Sequence, residues 1–308
     1  MMFIRYLILL PLVGADIENL VLNSFTDDLI KSKCHDDSQC AAQWKSYCSS
    51  LKIVSYYRNM LQLNEMISAR INRTGWKMQE GGTLGYHKKS ALLNSFADDK
   101  QINTICEIGF NSGHSATNFL SANPTATLIS FDMFHYAYSD AAVASVRDLF
   151  VNHTFITVAG DSMQTLPEFI RNLSHVETIQ YHTSGLEVTL KSKTLADQSR
   201  FPLCNLIFID GGHADDVLQS DILNMRRLAD PSYHLVIADD YDQDQVKDAV
   251  TLMESKGVLQ DVVVYDDLQM HAEIEYVYDA QNLRWNFILS DFQDPPIGAI
   301  CTFTYKFD

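Results

Sequence analysis

At 308 residues, 46% of them apolar, the chain suits one large α/β domain with an appendage or two smaller domains, and its core needs no metal or disulfide staple. Lysine and arginine number 23 against 39 aspartates and glutamates, a formal charge of −16, which argues against a nucleic-acid backbone or an anionic membrane surface as the main partner. Small molecules stay open, and clustered acids can hold cations.

The chain begins MMFIRYLILLPLVGAD. Arg5 precedes an apolar run from Tyr6 to Val13, and Val13, Gly14 and Ala15 supply the small residues of a cleavage site, so residues 1–15 read as a secretory signal. The run is too short for a stable membrane span. Sequons at Asn72, Asn152 and Asn172 agree with a secretory-pathway or extracellular glycoprotein; without a signal the location would be cytoplasmic. Cys34, Cys40 and Cys48 cluster in a polar segment where a disulfide is plausible, while the absence of a C-x₂-C half-site counts against zinc. Cys106 falls inside a predicted core strand and reads as a buried free thiol.

Residues 16–100 read as helical, with Leu63, Met66, Ile67 and Ile71 on one face. Gly81, Gly82 and Gly85 interrupt the pattern, and HKKSALLNSFADD forms one more short helix. No motif in this part carries chemistry, so it reads as a helical cap over the open side of a sheet.

Residues 101–308 form the second region, where short β-rich runs alternate with helical stretches, the pattern of a doubly wound, mostly parallel sheet. The strands are expected at 104–108, 126–131, 154–158, 206–209, 234–238 and 262–265. Helices are expected at 115–121, 141–150, 163–172, 215–228 and 243–256. The pair 273–278 and 284–289 reads as an antiparallel hairpin, and 297–305 as a last edge strand. The polar stretch 175–202 is long for a loop in a compact domain and has room for a small hairpin strand at 186–190.

The strongest local signal is ICEIGFNSGHSA. An apolar strand ends near Glu107, turns through Gly109, Asn111 and Gly113, and enters a helix at Ser115. Glycines there let backbone N–H groups approach a ligand, and the helix N-terminus favours an anion. A dinucleotide fold would need G-x-G-x-x-G, and Asn111 stands where its middle glycine would be. The missing motif counts against a nicotinamide oxidoreductase. The next strand ends LISFD, and Asp132 at that end can accept both hydroxyls of a ribose. Asp161 and Ser162 after the third strand could meet an adenine amine. Finally, FIDGGH is answered by IADDY: Asp210, Asp239 and Asp240 all end apolar strands and would repel one another without a cation. All-oxygen ligation suits Mg²⁺ or another hard divalent ion. His213, three residues past Asp210, could take a proton from a metal-acidified hydroxyl.

At these residues the chain resembles the class I S-adenosylmethionine (SAM) methyltransferases, in the branch of catechol O-methyltransferase and the macrocin-type sugar O-methyltransferases. EIGFNSGHSA looks like the first SAM motif, GDSMQTLPEF the third-strand segment, and FIDGGHADDVLQSDI with IADDY the metal-binding fourth and fifth strands. The resemblance runs from Ile102 to about Val264. It implies a Rossmann-like seven-stranded sheet with a C-terminal antiparallel hairpin, and O-methyl transfer to a small molecule or sugar. Glu107, Gly109 and Gly113 would line the methionine half of SAM, and Asn111 and Ser115 would also contact the cofactor. Asp132 would hold the ribose, Met133 beside it would contact the cofactor, Asp161 and Ser162 would lie near adenine, and Asp210 would touch both SAM and metal. Asp239 and Asp240 would complete a Mg²⁺ site, with His213 as base. A homo-oligomer is compatible with this reading, as is the rival of a secreted methyltransferase-like protein that binds without catalysis.

Overall fold

The computed structural model describes residues 51–71, 86–173, 178–183, 186–191, 203–269, 273–279, 284–290 and 297–307. The signal-like run, the Cys34 to Cys48 cluster and the Asn72 sequon lie outside them.

Two helices come first, α1 (Leu51–Ile71) and α2 (His87–Ala97). Alternation then begins: β1 (Thr104–Ile108), α3 (His114–Ala122), β2 (Thr127–Asp132), α4 (Ser139–Leu149), β3 (Phe155–Ala159) and α5 (Ser162–Leu173). A ribbon of β4 (Thr178–Thr183) and β5 (Leu186–Lys191) interrupts it, so the long polar stretch holds a complete antiparallel pair. The pattern resumes with β6 (Leu206–Ile209), α6 (Asp215–Arg226), β7 (Leu235–Ala238), α7 (Asp244–Ser255) and β8 (Leu259–Gln269). The chain closes with β9 (Glu273–Asp279), β10 (Arg284–Ser290) and β11 (Ile297–Tyr305).

Seven strands form one sheet in the order β3-β2-β1-β6-β7-β11-β8, parallel except for β11. Successive residues of the central strands face opposite helical layers, which is why those strands are apolar throughout rather than alternating. Ile105 and Phe208 pack with Met60, Leu63 and Ile67 of α1, Leu93 of α2 and Phe119 of α3. Cys106, Ile207 and Ile209 pack with Phe169 of α5, Ile222 of α6 and Val250 of α7. The fold class expected from the sequence is the one observed. The N-terminal helices belong to one of its two layers; Asn94 Nδ2 donates to Asn118 Oδ1 at 2.7 Å, and Asn118 Nδ2 to the Ser90 carbonyl at 2.8 Å, joining α2 to α3.

Two expectations are corrected. The last strand is not at the edge: β11 lies between β7 and β8, antiparallel to both. Its Ile300, Cys301, Phe303 and Tyr305 are buried, whereas Val263 and Val264 of β8 are 49% and 41% exposed, so the more apolar strand takes the inner position. The expected hairpin, β9 with β10, forms a separate two-stranded ribbon. Nor is Cys106 a free thiol. It forms a disulfide with Cys204, because β1 and β6 are neighbours and Cys204, just before β6, lies with its Cα 5.8 Å from that of Cys106. No helix among the described residues is long and apolar enough to cross a membrane.

Candidate active site

The C-terminal ends of β1, β2, β3, β6 and β7 open on one cavity of about 430 Å³. β1 is central, with β2 on one side and β6 on the other, so the chain reverses its direction of travel across the sheet at this point. Open α/β sheets leave a crevice where that happens.

The turn after β1 builds one wall. Gly109 has φ +94°, and a Cβ there would stand 1.9 Å from the carbonyl oxygen of Asp210. Only glycine lets the tips of β1 and β6 meet so closely. Gly113 has φ +83°, and its absent Cβ makes way for Phe110 and Val146, so it packs the turn and does not line the cavity. Asp132 clasps this turn: Oδ2 accepts from the amides of Phe110 at 2.7 Å and Asn111 at 2.9 Å, and Oδ1 from that of Phe134 at 2.6 Å. Two oxygens with about four lone pairs retain capacity for a ligand hydroxyl. The Asn111 side chain accepts from the Tyr138 hydroxyl at 2.5 Å.

Glu107 stands behind this wall. It is fully buried, accepts hydrogen bonds from Ser130 and, at 2.8 Å, from Ser115 Oγ, and does not line the cavity. Burial pushes its pKa from 4.5 to about 7, against the lowering effect of the two serines. An acid raised in this way lends the fold stability below about pH 4.5 that is lost as the pH climbs to about 7. The stability of Glu107→Gln relative to the native chain should therefore improve by about 2.5 kcal/mol between pH 5 and 8. Urea unfolding across that range measures it; a flat difference would mean that Glu107 is ionised throughout.

Of the other expected cofactor residues, Met133, Ser115 and Ser162 line the cavity. Asp161 does not. Its Oδ1 accepts from the Met163 amide at 3.0 Å, which caps the start of α5.

The opposite wall is acidic. Asp210, His213 and Asp240 each offer a donor atom within 4.8 Å of the others, a set of chemistry and spacing that fits a divalent ion. His213 Nε2 lies 3.2 Å from Asp240 Oδ2. Desolvation and the charge of Asp239 raise the pKa of Asp210 well above the usual carboxylate range, and the same two causes raise that of Asp240. The loop carrying Asp240 is tied to β11, the Tyr241 amide donating to the Ala299 carbonyl at 2.9 Å. Asp239 lines the cavity, but its carboxylate forms a buried ion pair with Lys89 of α2.

Sequence reasoning missed Tyr86, Lys89, His114, His135 and Tyr136, all of which line the cavity. Lys89 and Tyr86 sit in a region without a motif, and only the packing of α2 brings them to the sheet. His114 did carry a signal, as the first helical residue after Gly113. It is 5% exposed, and neither ring nitrogen has a hydrogen-bond partner among the described residues. Burial lowers its pKa to about 4, so it offers the cavity a neutral imidazole, one donor and one acceptor.

No family model matches the chain, and no curated protein matches it by sequence. Among solved structures, an O-methyltransferase from Bacillus cereus in complex with S-adenosylhomocysteine aligns over 80% of this chain and 90% of its own, at 11% identity and a TM-score of 0.47. An O-methyltransferase of tomaymycin synthesis from Streptomyces achromogenes, in complex with SAM, aligns over 81% and 95%, at 14% identity and a TM-score of 0.45. A methyltransferase from Podospora anserina bound to S-adenosylhomocysteine aligns over 88% and 97%, at 10% identity and a TM-score of 0.43. These likenesses are low, and the chemistry of the site rests on this chain's own residues.

Proposed function

We propose that the chain transfers the methyl group of SAM to a hydroxyl oxygen of a small molecule or sugar, assisted by a divalent cation. One observation carries the reading: a glycine turn clasped by Asp132 and a cluster of Asp210, His213 and Asp240 face the same cavity. The first wall has the chemistry for a nucleoside and an amino-acid head group, with a carboxylate for ribose hydroxyls and a helix N-terminus at His114 and Ser115 for a carboxylate. SAM, when bound, supplies an electrophilic methyl group. Asp210 and Asp240 would hold a divalent cation, with Mg²⁺ the natural candidate, which would supply Lewis acidity to the acceptor hydroxyl.

The chain's own residues do the rest. With a cation bound Asp240 would be ionised and could only accept, so the His213 proton facing it would sit on Nε2 and Nδ1 would be left to take the proton of the acceptor hydroxyl. The two walls hold the reactants in line, and proximity of this kind is worth ~7–11 kcal/mol when well oriented.

Calorimetry with SAM and S-adenosylhomocysteine, with and without Mg²⁺, tests cofactor and metal together. Asp240→Ala should cut Mg²⁺-dependent turnover by about 100-fold or more while leaving SAM affinity nearly intact. If the native chain bound neither nucleoside, the methyltransferase-like protein that binds without catalysis would be the better reading. Turnover indifferent to Mg²⁺ and to Asp240→Ala would remove the metal from the mechanism.

A further inference from the structure

Lys89 lies in the first turn of α2, and Tyr86 packs against the inner strand β11, where a Cβ on Gly298 would stand 3.0 Å from Tyr86 Cε1. That packing drives the Lys89 side chain under the acidic wall. It is 10% exposed, and the Asp239 carboxylate it pairs with is 1% exposed. The Lys89 Nζ also stands 5.2 Å from the centre of the Tyr86 ring. Burial opposes the ammonium charge, but Asp239, Asp210 and Asp240 outweigh it and hold the pKa above the usual lysine range. The ion pair with Asp239 places one internal cation among three carboxylates that line the same cavity. The same cavity is lined by the buried imidazole of His114, whose ring nitrogens have no hydrogen-bond partner among the described residues.

We propose that Lys89 is the resident cation of this cluster: it occupies Asp239, leaves Asp210 and Asp240 as the carboxylates open to a divalent ion beside His213, and holds down the affinity for that ion. The inference rests on reading the cluster as a cation site. Its physical basis is charge. A buried ammonium within a side chain's reach of a divalent ion repels it with twice the energy of a monovalent pair, in a medium that screens poorly. It also keeps one of three anionic ligands engaged. The arrangement suits a site that must load and release its cation, because all three carboxylates together would bind more tightly.

Mn²⁺ binding without SAM, followed by calorimetry on the native chain, Lys89→Met and Lys89→Arg, tests this. Lys89→Met should bind Mn²⁺ at least about tenfold more tightly than the native chain, and Lys89→Arg, which keeps the charge, about as the native chain does. Lys89→Met should also melt at a lower temperature and regain more of it on adding Mn²⁺ than the native chain gains, a response that a purely structural lysine would not produce. Lys89→Gln is a second neutral variant should the methionine fold poorly. Unchanged or weaker Mn²⁺ binding in a folded neutral variant, or no Mn²⁺ binding by any of them, would overturn the assignment. SAM titrations on the same samples separate the two readings: a native chain that ignores SAM defeats the proposed methyl transfer, while the Mn²⁺ comparison still decides the role of Lys89.

Discussion

Gly109→Ala should be the most damaging single-methyl change in the molecule. The new Cβ would meet the Asp210 carbonyl oxygen at 1.9 Å, and the backbone at φ +94° is strained for any residue with a side chain. The atom it meets belongs to backbone just past the end of β6, so no rotamer change relieves the contact; the tips of β1 and β6 must separate. We expect a stability loss of about 2–6 kcal/mol, combining ~1–3 for the strained conformation with ~1–3 for overpacking. Function should fall further than stability, because the displacement moves Asp210 and the cavity-lining turn together. Urea unfolding and SAM calorimetry on one preparation measure both. Native stability with native SAM affinity would show that the two strand tips do not meet as described.

Asp132→Ala should cost the most in binding. Three backbone amides, those of Phe110, Asn111 and Phe134, lose their common acceptor. Hydrogen bonds to a charged group are worth about 1.5–3 kcal/mol each when buried, but Asp132 is half-buried and water can replace part of the loss. A stability loss of about 2–3 kcal/mol is therefore expected, with SAM affinity reduced about 100-fold because the turn and the ribose acceptor go together. Asp132→Asn should be intermediate: its one remaining oxygen can serve Phe110 and Asn111, and the Phe134 amide goes unpaired. Were Asp132→Ala to bind SAM as the native chain does, the placement of the cofactor on this wall would be wrong.

Several site residues were legible because local pattern and chemistry coincide. Apolar strands ending in an acid put Asp132, Asp210, Asp239 and Asp240 at one edge of a parallel sheet, and four of those four line the cavity. The same pattern could not separate residues that face the ligand from those that hold the turn. Glu107 and Gly113 belong to the strongest motif in the chain, yet one is buried behind the wall and the other packs against Phe110 and Val146. Asp161 ends a strand in the same way and caps α5. An acid past a strand end can serve a ligand or a backbone amide, and spacing does not tell these apart.

What the chain determined by itself is the succession of elements and the end of the sheet where the site forms, since side-chain period and strand-terminal acids are local properties. Tertiary structure alone decided which strands are neighbours: β11 inside the sheet and Cys204 beside Cys106, both outcomes of long-range pairing. It also decided that Lys89, from a helix without a motif, would reach Asp239. A lysine's charge is written in the sequence, but the carboxylates that hold it in a buried place are 121 and 150 residues further along the chain, at Asp210 and Asp239, and only the folded sheet brings them to it.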